Sequence, residues 1–285
     1  MEIACERRHK FTFLFASTVV HSLGFFVSSL ATVARMYYSI ITPGADYFTK
    51  FGYALKYVNT LNAVIQSIYH FVALTVDIMI NASYTMDAPP MMVTARSIFR
   101  SSIAIPVGMF NATMYWIMTL KNPELLGAAD YPAWLQHLLT TSSPILLFLD
   151  VICCKGESTN LAVALIVIAF LSMSYYVWLH IIYYFTKTWA VPFMTHYALP
   201  QKVALYFSFL LLKYVCFLIG WIVNDLLWCE EFVSSIPFLR HYFPANSRLV
   251  YRNVSPTSDN LGKLIIHSQS SFLERAYKAK AERKW

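Results

Sequence analysis

The stretch LAVALIVIAFLSMSYYVWLHIIYYF, residues 161–185, contains no Asp, Glu, Lys or Arg. A helix that crosses the hydrocarbon core of a bilayer needs about 20 mostly apolar residues. We therefore predict that this segment is a transmembrane helix and that lipid is the solvent of this protein.

Five other stretches have the length and apolar character of membrane-crossing helices. The apolar part of the first is too long for the core of a cleaved signal peptide, so we interpret it as a retained helix. With residues 161–185 they predict an all-α, polytopic bundle of about six transmembrane helices. The six predicted segments are Phe11–Ala34, Tyr57–Ile80, Ile103–Leu120, Ala133–Cys153, Leu161–Phe185 and Val203–Trp228.

The composition supports a membrane protein and argues against a nucleic-acid partner. Hydrophobic residues make up 58% of the 285 residues and charged residues 13%, whereas soluble domains carry about 25% charged residues. The net charge is +7, but no basic module stands apart from the apolar helices. Such an excess in a membrane protein favours contact between cytosolic Lys/Arg and anionic lipid.

Lys and Arg are concentrated at the two ends of the chain, and six helices place both ends on one side. We predict that both termini are cytosolic, with a short N-terminus over 1–10, a transmembrane domain over 11–230 and a partly disordered basic tail over 231–285. Arg96 and Arg100 then fall in an inner loop and Arg35 in an outer loop. The sequons at Asn81, Asn111 and Asn253 are expected to stay unglycosylated.

The five cysteines are odd in number and match no disulfide or zinc spacing. We expect no metal and no organic cofactor.

Polar residues inside an apolar segment are costly in a membrane and are candidates for function. In the second segment, Asn59, Asn62, Gln66 and His70 are spaced by three, four and four, which is one helix face. A structural hydrogen-bond ladder and the wall of a site explain this stripe equally well.

The fourth segment begins with a broad polar face that includes His137, Thr140 and Thr141. We predict that this face and the stripe of the second segment enclose an internal cavity. In the sixth segment, Lys213 is expected to snorkel or to form a structural pair, with Asp77, Asp150 and Asp225 as candidate partners. His180 is interpreted as part of an interfacial aromatic belt.

Five short motifs together resemble a known family. They occur in the family's order over about residues 53–230, and no single one is specific. They are Lys56-Tyr-Val-Asn-Thr-Leu-Asn62-Ala-Val-Ile-Gln66; Pro106-Val-Gly-Met-Phe110 with Trp116; Pro132-Ala-Trp134-Leu-Gln-His137; Thr188-Trp-Ala-Val-Pro-Phe193 with His196; and Gly220-Trp-Ile-Val-Asn224 with Trp228. The chain is similar to the androgen-induced protein and the androgen-dependent TFPI-regulating protein, which are polytopic endomembrane proteins.

The resemblance implies intramembrane hydrolysis of fatty-acid esters of hydroxy fatty acids, by a threonine nucleophile and a histidine. Two replacements put this activity in doubt: the family's threonine aligns with Asn59, and its second histidine aligns with Thr140 or with a one-residue deletion before Thr140-Thr141. If the chain is an enzyme, we predict a rebuilt site with Thr60 as nucleophile and His137 as base. Asn59 or Asn62 would then stabilise the oxyanion.

Three hypotheses follow for the function. The chain is a membrane lipid ester hydrolase of the threonine type, or a non-catalytic lipid-binding or regulatory protein of the same fold, or, as the weaker alternative, a transporter. A membrane lipid or fatty-acyl ester is the expected partner. The expected location is an endomembrane, such as the endoplasmic reticulum, or the plasma membrane.

Overall fold

The computed structural model describes residues 2–41, 51–82, 90–121, 131–154, 156 and 159–229. Every regular element in these ranges is a helix. The predictions for the tail over 231–285 and for the sequon at Asn253 lie outside the described residues. The fold class predicted from the sequence, an all-α polytopic bundle, is confirmed.

Six helices in the described part of the chain are long and apolar enough to cross a membrane. We call them the first to sixth spans. Their bounds are Leu14–Ile41, Val58–Ala82, Met91–Lys121, Ala133–Cys153, Leu161–Thr186 and Leu199–Leu227. Large apolar side chains such as Phe26, Phe170 and Phe207 point outward and are 65–70% exposed, as expected for a surface in contact with lipid.

Two spans are longer than the sequence predicted. The first helix runs from Glu2 to Ile41, and the third span includes a helix that begins at Pro90. Arg35 therefore lies in the first helix, and Arg96 and Arg100 in the third span. The prediction that these three arginines lie in loops was wrong. All three are buried, and carboxylates or aromatic rings of the bundle stabilise their charges.

The third span changes its helical pitch in the middle. It consists of α-helices Pro90–Phe99 and Ile105–Lys121, joined by a π-helical segment, Arg100–Ala104. The Ile105 amide donates to the Arg100 carbonyl, one residue further back than in an α-helix. The next residue, Pro106, has no amide hydrogen, and such a residue commonly disturbs the ladder before it.

The fourth span is interrupted near its start. It consists of helices Ala133–Thr140 and Ser142–Cys153, with Thr141 between them. Pro144 lacks the amide that would bond to the Thr140 carbonyl, which explains the break at this point. The interruption separates the residues near His137 from the rest of the span.

Glycines let the spans approach one another closely. A Cβ atom at Gly220 in the sixth span would lie 2.5 Å from Cγ2 of Ile105 in the third. A Cβ atom at Gly24 in the first span would lie 2.6 Å from the ring of His70 in the second. Small residues at such crossings are typical of helix packing in membranes. The first and second spans form the most extensive helix pair among the described residues.

Candidate functional site

Amide side chains join the second span to the third and fourth. Asn62 Nδ2 donates to Ser143 Oγ at 2.8 Å and to the Leu139 carbonyl at 3.3 Å. Gln66 Nε2 donates to Asn62 Oδ1 at 3.2 Å and to the Ala104 carbonyl at 2.9 Å. The predicted polar faces of the second and fourth spans thus meet at Asn62 and Ser143, whereas Gln66 Oε1 has no hydrogen-bond partner among the described residues.

Thr60, the predicted nucleophile, and its neighbour Asn59 lie at one end of the contact between the second and fourth spans. Thr60 is fully buried, and its hydroxyl is 3.4 Å from Asn59 Oδ1, which also accepts from the Thr60 amide at 2.8 Å. Asn59 Nδ2 donates to the Tyr131 hydroxyl at 3.2 Å. Asn59 therefore links the start of the second span to the start of the fourth.

The predicted base lies on the exposed side of the fourth span. His137 Nδ1 is 3.4 Å from Thr141 Oγ1, and the His137 ring packs on Trp116 with 6.0 Å between centroids. Thr140 is buried and its hydroxyl donates to the Gln136 carbonyl at 2.7 Å. Among the described residues, Thr60 and His137 share no hydrogen bond.

A buried arginine lies near Asn59. The Arg35 guanidinium lies 4.3 Å from the ring centre of Tyr131 and 5.0 Å from that of Tyr57. The Tyr131 hydroxyl donates to Gln136 Oε1, and burial raises the pKa of Tyr131, so this phenol stays protonated. The two aromatic faces stabilise the buried positive charge.

A network of charged groups lies at the opposite end of the same four spans. His21 Nδ1 is 2.7 Å from Asp77 Oδ2, and His21 Nε2 is 2.8 Å from Asp150 Oδ1. Arg96 Nη1 lies 3.2 Å from Asp77 Oδ1, and Arg100 Nη1 lies 3.6 Å from Asp150 Oδ2. This network joins the first four spans, and the sequence analysis did not single out His21.

The network contains three cations and two carboxylates. Each carboxylate only accepts hydrogen bonds, so both ring nitrogens of His21 act as donors and the ring is an imidazolium. Donor atoms of His21, Asp150 and Cys154 lie within 4.8 Å of one another, which is a donor set of the kind that binds metals. Arg96 and Arg100 contact the same two carboxylates, however, and their charge opposes a divalent cation there. We therefore interpret this cluster as a structural ion network.

His70 extends the polar interior toward this network. It is buried, its ring lies 5.9 Å from that of His21, and neither of its nitrogens has a hydrogen-bond partner among the described residues. The four residues of the predicted stripe therefore have different surroundings. Asn59 bonds to Tyr131, Asn62 and Gln66 bond to the fourth and third spans, and His70 lies beside His21.

An apolar cavity lies between the second, third, fifth and sixth spans. Its volume is about 390 Å³. It reaches the surface of the protein at Leu55 and Ser174, which are exposed. Most of its lining is apolar, and its polar members are Ser102, Ser172, Ser174, Tyr175, Trp178 and Lys213.

Lys213 is buried and lies in this cavity. Its ammonium donates to Ser172 Oγ at 3.0 Å and lies 4.7 Å from the ring centre of Phe110. The candidate acid partners were wrong: Asp77 and Asp150 bind His21 and the arginines, and Asp225 accepts from Asn224. The three carboxylates lie near span ends, whereas Lys213 lies near mid-span.

A second cavity lies on the outer side of the fifth and sixth spans. Its volume is about 590 Å³, and its lining includes Tyr176, His180 and Tyr206. His180 Nδ1 contacts the Tyr176 carbonyl at 2.8 Å, and its ring packs on Trp189 and Tyr206. None of the six residues predicted to line a cavity (Asn59, Asn62, Gln66, His70, Thr140 and Thr141) lines either of these two.

These features define a multi-pass helical membrane protein with apolar cavities between its helices. The family described as FAR-17a/AIG1-like protein matches residues 12–225, and the chain belongs to this family. It is 20% identical to the human androgen-induced gene 1 protein over 188 residues, which is 62% of this chain and 79% of that protein. It is 25% identical to the human androgen-dependent TFPI-regulating protein over 181 residues, 61% of this chain and 76% of that protein. No solved structure matches the chain significantly.

Proposed function

We propose that this protein binds a lipid with an acyl chain inside the membrane, in the cavity between the second, third, fifth and sixth spans. The observation that carries the proposal is the cavity itself, an apolar space of about 390 Å³. Its volume is within the range of about 300–1,000 Å³ that small-ligand sites occupy. It opens between helices at Leu55 and Ser174, so an acyl chain has a route from the bilayer.

The apolar lining alone would give such a lipid little affinity, because lipid tails are already in an apolar solvent. Binding must therefore depend on the polar groups of the cavity, of which Lys213 is the charged one. This requirement favours an amphiphile over a pure hydrocarbon as the ligand.

The residues at the two replaced positions, Asn59 and Thr140, favour lipid binding over hydrolysis by a threonine–histidine pair. Asn59 cannot act as a hydroxyl nucleophile, and its amide is occupied by Thr60 and Tyr131. Thr140 cannot act as a base, and its hydroxyl bonds to its own helix.

Ester hydrolysis by Thr60 and His137 is the second candidate. The close contact of the second and fourth spans favours it. Thr60 Oγ would attack the ester carbonyl, and its proton would pass by way of His137 to the departing hydroxy acid. Water would then release the acyl group as a carboxylic acid and restore Thr60. Asn59 or Asn62 would stabilise the oxyanion.

Two variants of adjacent residues test binding in the cavity. Leu171 lines the cavity, and Phe170 points outward with 70% exposure. We expect Leu171→Trp to reduce the amount of acyl lipid that copurifies with the protein in mild detergent, measured by mass spectrometry. Phe170→Trp should retain the wild-type amount. Equal lipid content in both variants would contradict the proposal.

A turnover assay on membranes that contain the expressed protein distinguishes hydrolysis from binding. Wild type, Thr60→Ala and His137→Ala would be assayed with a fatty-acid ester of a hydroxy fatty acid. We expect no turnover above vector membranes. Turnover by the wild type that is lost in both variants, at equal expression, would establish the second candidate instead.

Location is part of the proposal. The resemblance supports an endomembrane, such as the endoplasmic reticulum, or the plasma membrane, with basic termini beside anionic cytosolic lipid. Cofractionation of the tagged protein with markers of these membranes tests it, and a mitochondrial distribution would contradict it.

A further inference from the structure

The setting of Lys213 points to the chemistry of the ligand. Lys213 lies near the middle of the sixth span and lines the cavity, and it is only 6% exposed. A buried charge is costly unless it is paired and hydrogen-bonded. Among the described residues, no carboxylate pairs with Lys213.

The protein satisfies this ammonium only in part. A lysine ammonium has three hydrogen-bond donors, and the described residues provide one acceptor, Ser172 Oγ at 3.0 Å. The faces of Phe110 and Tyr176, with ring centres 4.7 and 5.5 Å away, stabilise the charge but accept no ordinary hydrogen bond. Two donors remain for a molecule in the cavity.

Ser102 provides a second, independent indication of a ligand. It lines the same cavity from the π-helical segment of the third span. It is fully buried, and its hydroxyl has no hydrogen-bond partner among the described residues. Buried hydroxyls in proteins are normally hydrogen-bonded, so an orphaned one needs an explanation.

We propose that Lys213, Ser172 and Ser102 form a carboxylate-binding subsite, and that the ligand is a single-chain fatty acid. This inference rests on the proposed function, because it identifies the head group of the lipid in the same cavity. The ammonium binds the carboxylate, and the serine hydroxyls occupy its remaining acceptor sites. The acyl chain extends along the apolar lining toward Leu55 and Trp178.

Charge and volume favour this class over a phospholipid. One lysine neutralises one carboxylate, whereas a phosphate head group with other charged substituents would bring unpaired charge into the interior. The volume of about 390 Å³ is near the lower end for ligand sites, which suits one chain rather than two.

The test compares three ligands of the same chain length on the purified full-length wild type in detergent. Oleate carries a carboxylate, and oleyl alcohol and methyl oleate do not. Each would compete with a fluorescent fatty acid for the cavity. We expect oleate to bind roughly 10- to 100-fold more tightly than the two neutral ligands, since hydrogen bonds to charged groups are the stronger ones.

A pair of lysine variants assigns the preference to one residue. Lys213→Met should reduce the affinity for oleate to that for oleyl alcohol and leave oleyl alcohol binding unchanged. Lys202→Met is the matched control, because Lys202 lies on the same helix outside the cavity, with its ammonium 4.3 Å from the ring centre of Trp189. It should keep the preference for oleate. Ser102→Ala should weaken oleate binding less than Lys213→Met.

The outcomes separate this inference from the proposed function. If the wild type binds oleate and oleyl alcohol equally, or Lys213→Met keeps the preference, the carboxylate subsite is refuted and lipid binding stands. If none of the three ligands competes, the proposed function fails as well. The comparison on the wild type needs no variant, so a folding defect in Lys213→Met does not leave the question open.

Discussion

His21 Nε2 in the first span lies 2.8 Å from Asp150 Oδ1 in the fourth, and the other ring nitrogen faces Asp77 in the second. One imidazolium therefore links three spans whose positions in the chain are far apart. Within the described residues, Arg96 and Arg100 of the third span contact the same two carboxylates, so three cations share two anions. The network therefore holds the first four spans together at the end of the bundle where the first span begins.

Replacing His21 should destabilise the protein more than replacing an exposed histidine. The ring of His21 contacts Asp77 Oδ2 and Asp150 Oδ1, and leaving a buried polar group without its donor costs about 1–3 kcal/mol, more for a charged group. We expect His21→Leu to lower the midpoint of thermal unfolding in detergent, followed by tryptophan fluorescence. His196→Leu is the control because His196 is exposed. Equal midpoints for the two variants would show that the network contributes no stability.

The close crossing of the third and sixth spans at Gly220 is open to a double-mutant test. A Cβ at this position would lie 2.5 Å from Ile105 Cγ2, so Gly220→Ala should destabilise the protein by about 1–3 kcal/mol through overpacking. Ile105→Ala removes the clashing atom. The double variant should be less destabilised than the sum of the single effects, as measured by unfolding in mixed micelles. Strict additivity would mean that the two residues are not coupled.

Restoring the family's two side chains should restore its chemistry. We expect Asn59→Thr/Thr140→His to hydrolyse a fatty-acid ester of a hydroxy fatty acid above the rate of the wild type, because the positions that align with the nucleophile and the base are then occupied. Each single variant should stay inactive. Because Thr140 is buried, the size-exclusion profile of the double variant is checked before its rate is measured. A folded double variant without turnover would indicate that the lipid ester does not reach positions 59 and 140.

Two cysteines near the ends of spans should differ in reactivity. Burial raises the pKa of the Cys154 thiol well above its usual range, whereas Cys229 is exposed. Since the thiolate is the nucleophile, iodoacetamide at pH 8 should modify Cys229 and spare Cys154 until the protein is unfolded. Peptide mapping by mass spectrometry measures both sites in one sample. Rapid alkylation of native Cys154 would contradict the packing described here.

The sequence predicted the number of spans because each one is a long apolar segment, and this signal is local. It also predicted which face of the second span is polar, since Asn62 and Gln66 do meet the third and fourth spans. Periodicity along one helix is sufficient for both results.

The partners of the charged residues could not be predicted in the same way. Asp77 and Asp150 are candidate partners for any buried cation when only composition and depth are known, and Lys213 was considered first. The structure assigns them to His21 and the arginines, which requires the relative rotation of four helices. A lone histidine in the apolar first segment was the available signal for this network.

Arg96 and Arg100 were assigned to a loop because an apolar window excludes charged residues. Their charges are neutralised by acidic residues of other spans, and a hydropathy pattern along one segment carries no information about such compensation. The same reason applies to Arg35, whose charge is stabilised by two aromatic rings from other parts of the chain.

The wide turn at Arg100–Ala104 has a consequence for the evolution of the third span. A π-helical segment holds one residue more than the α-helical turn it replaces, and one residue corresponds to about 100° of rotation. Because the wide turn absorbs that rotation, loss of a single codon in this segment would restore an α-helical turn and leave Arg96 and the Pro106 end nearly in their present directions. The third span can therefore lose one residue at this turn without rotating its ion-network end relative to its cavity end.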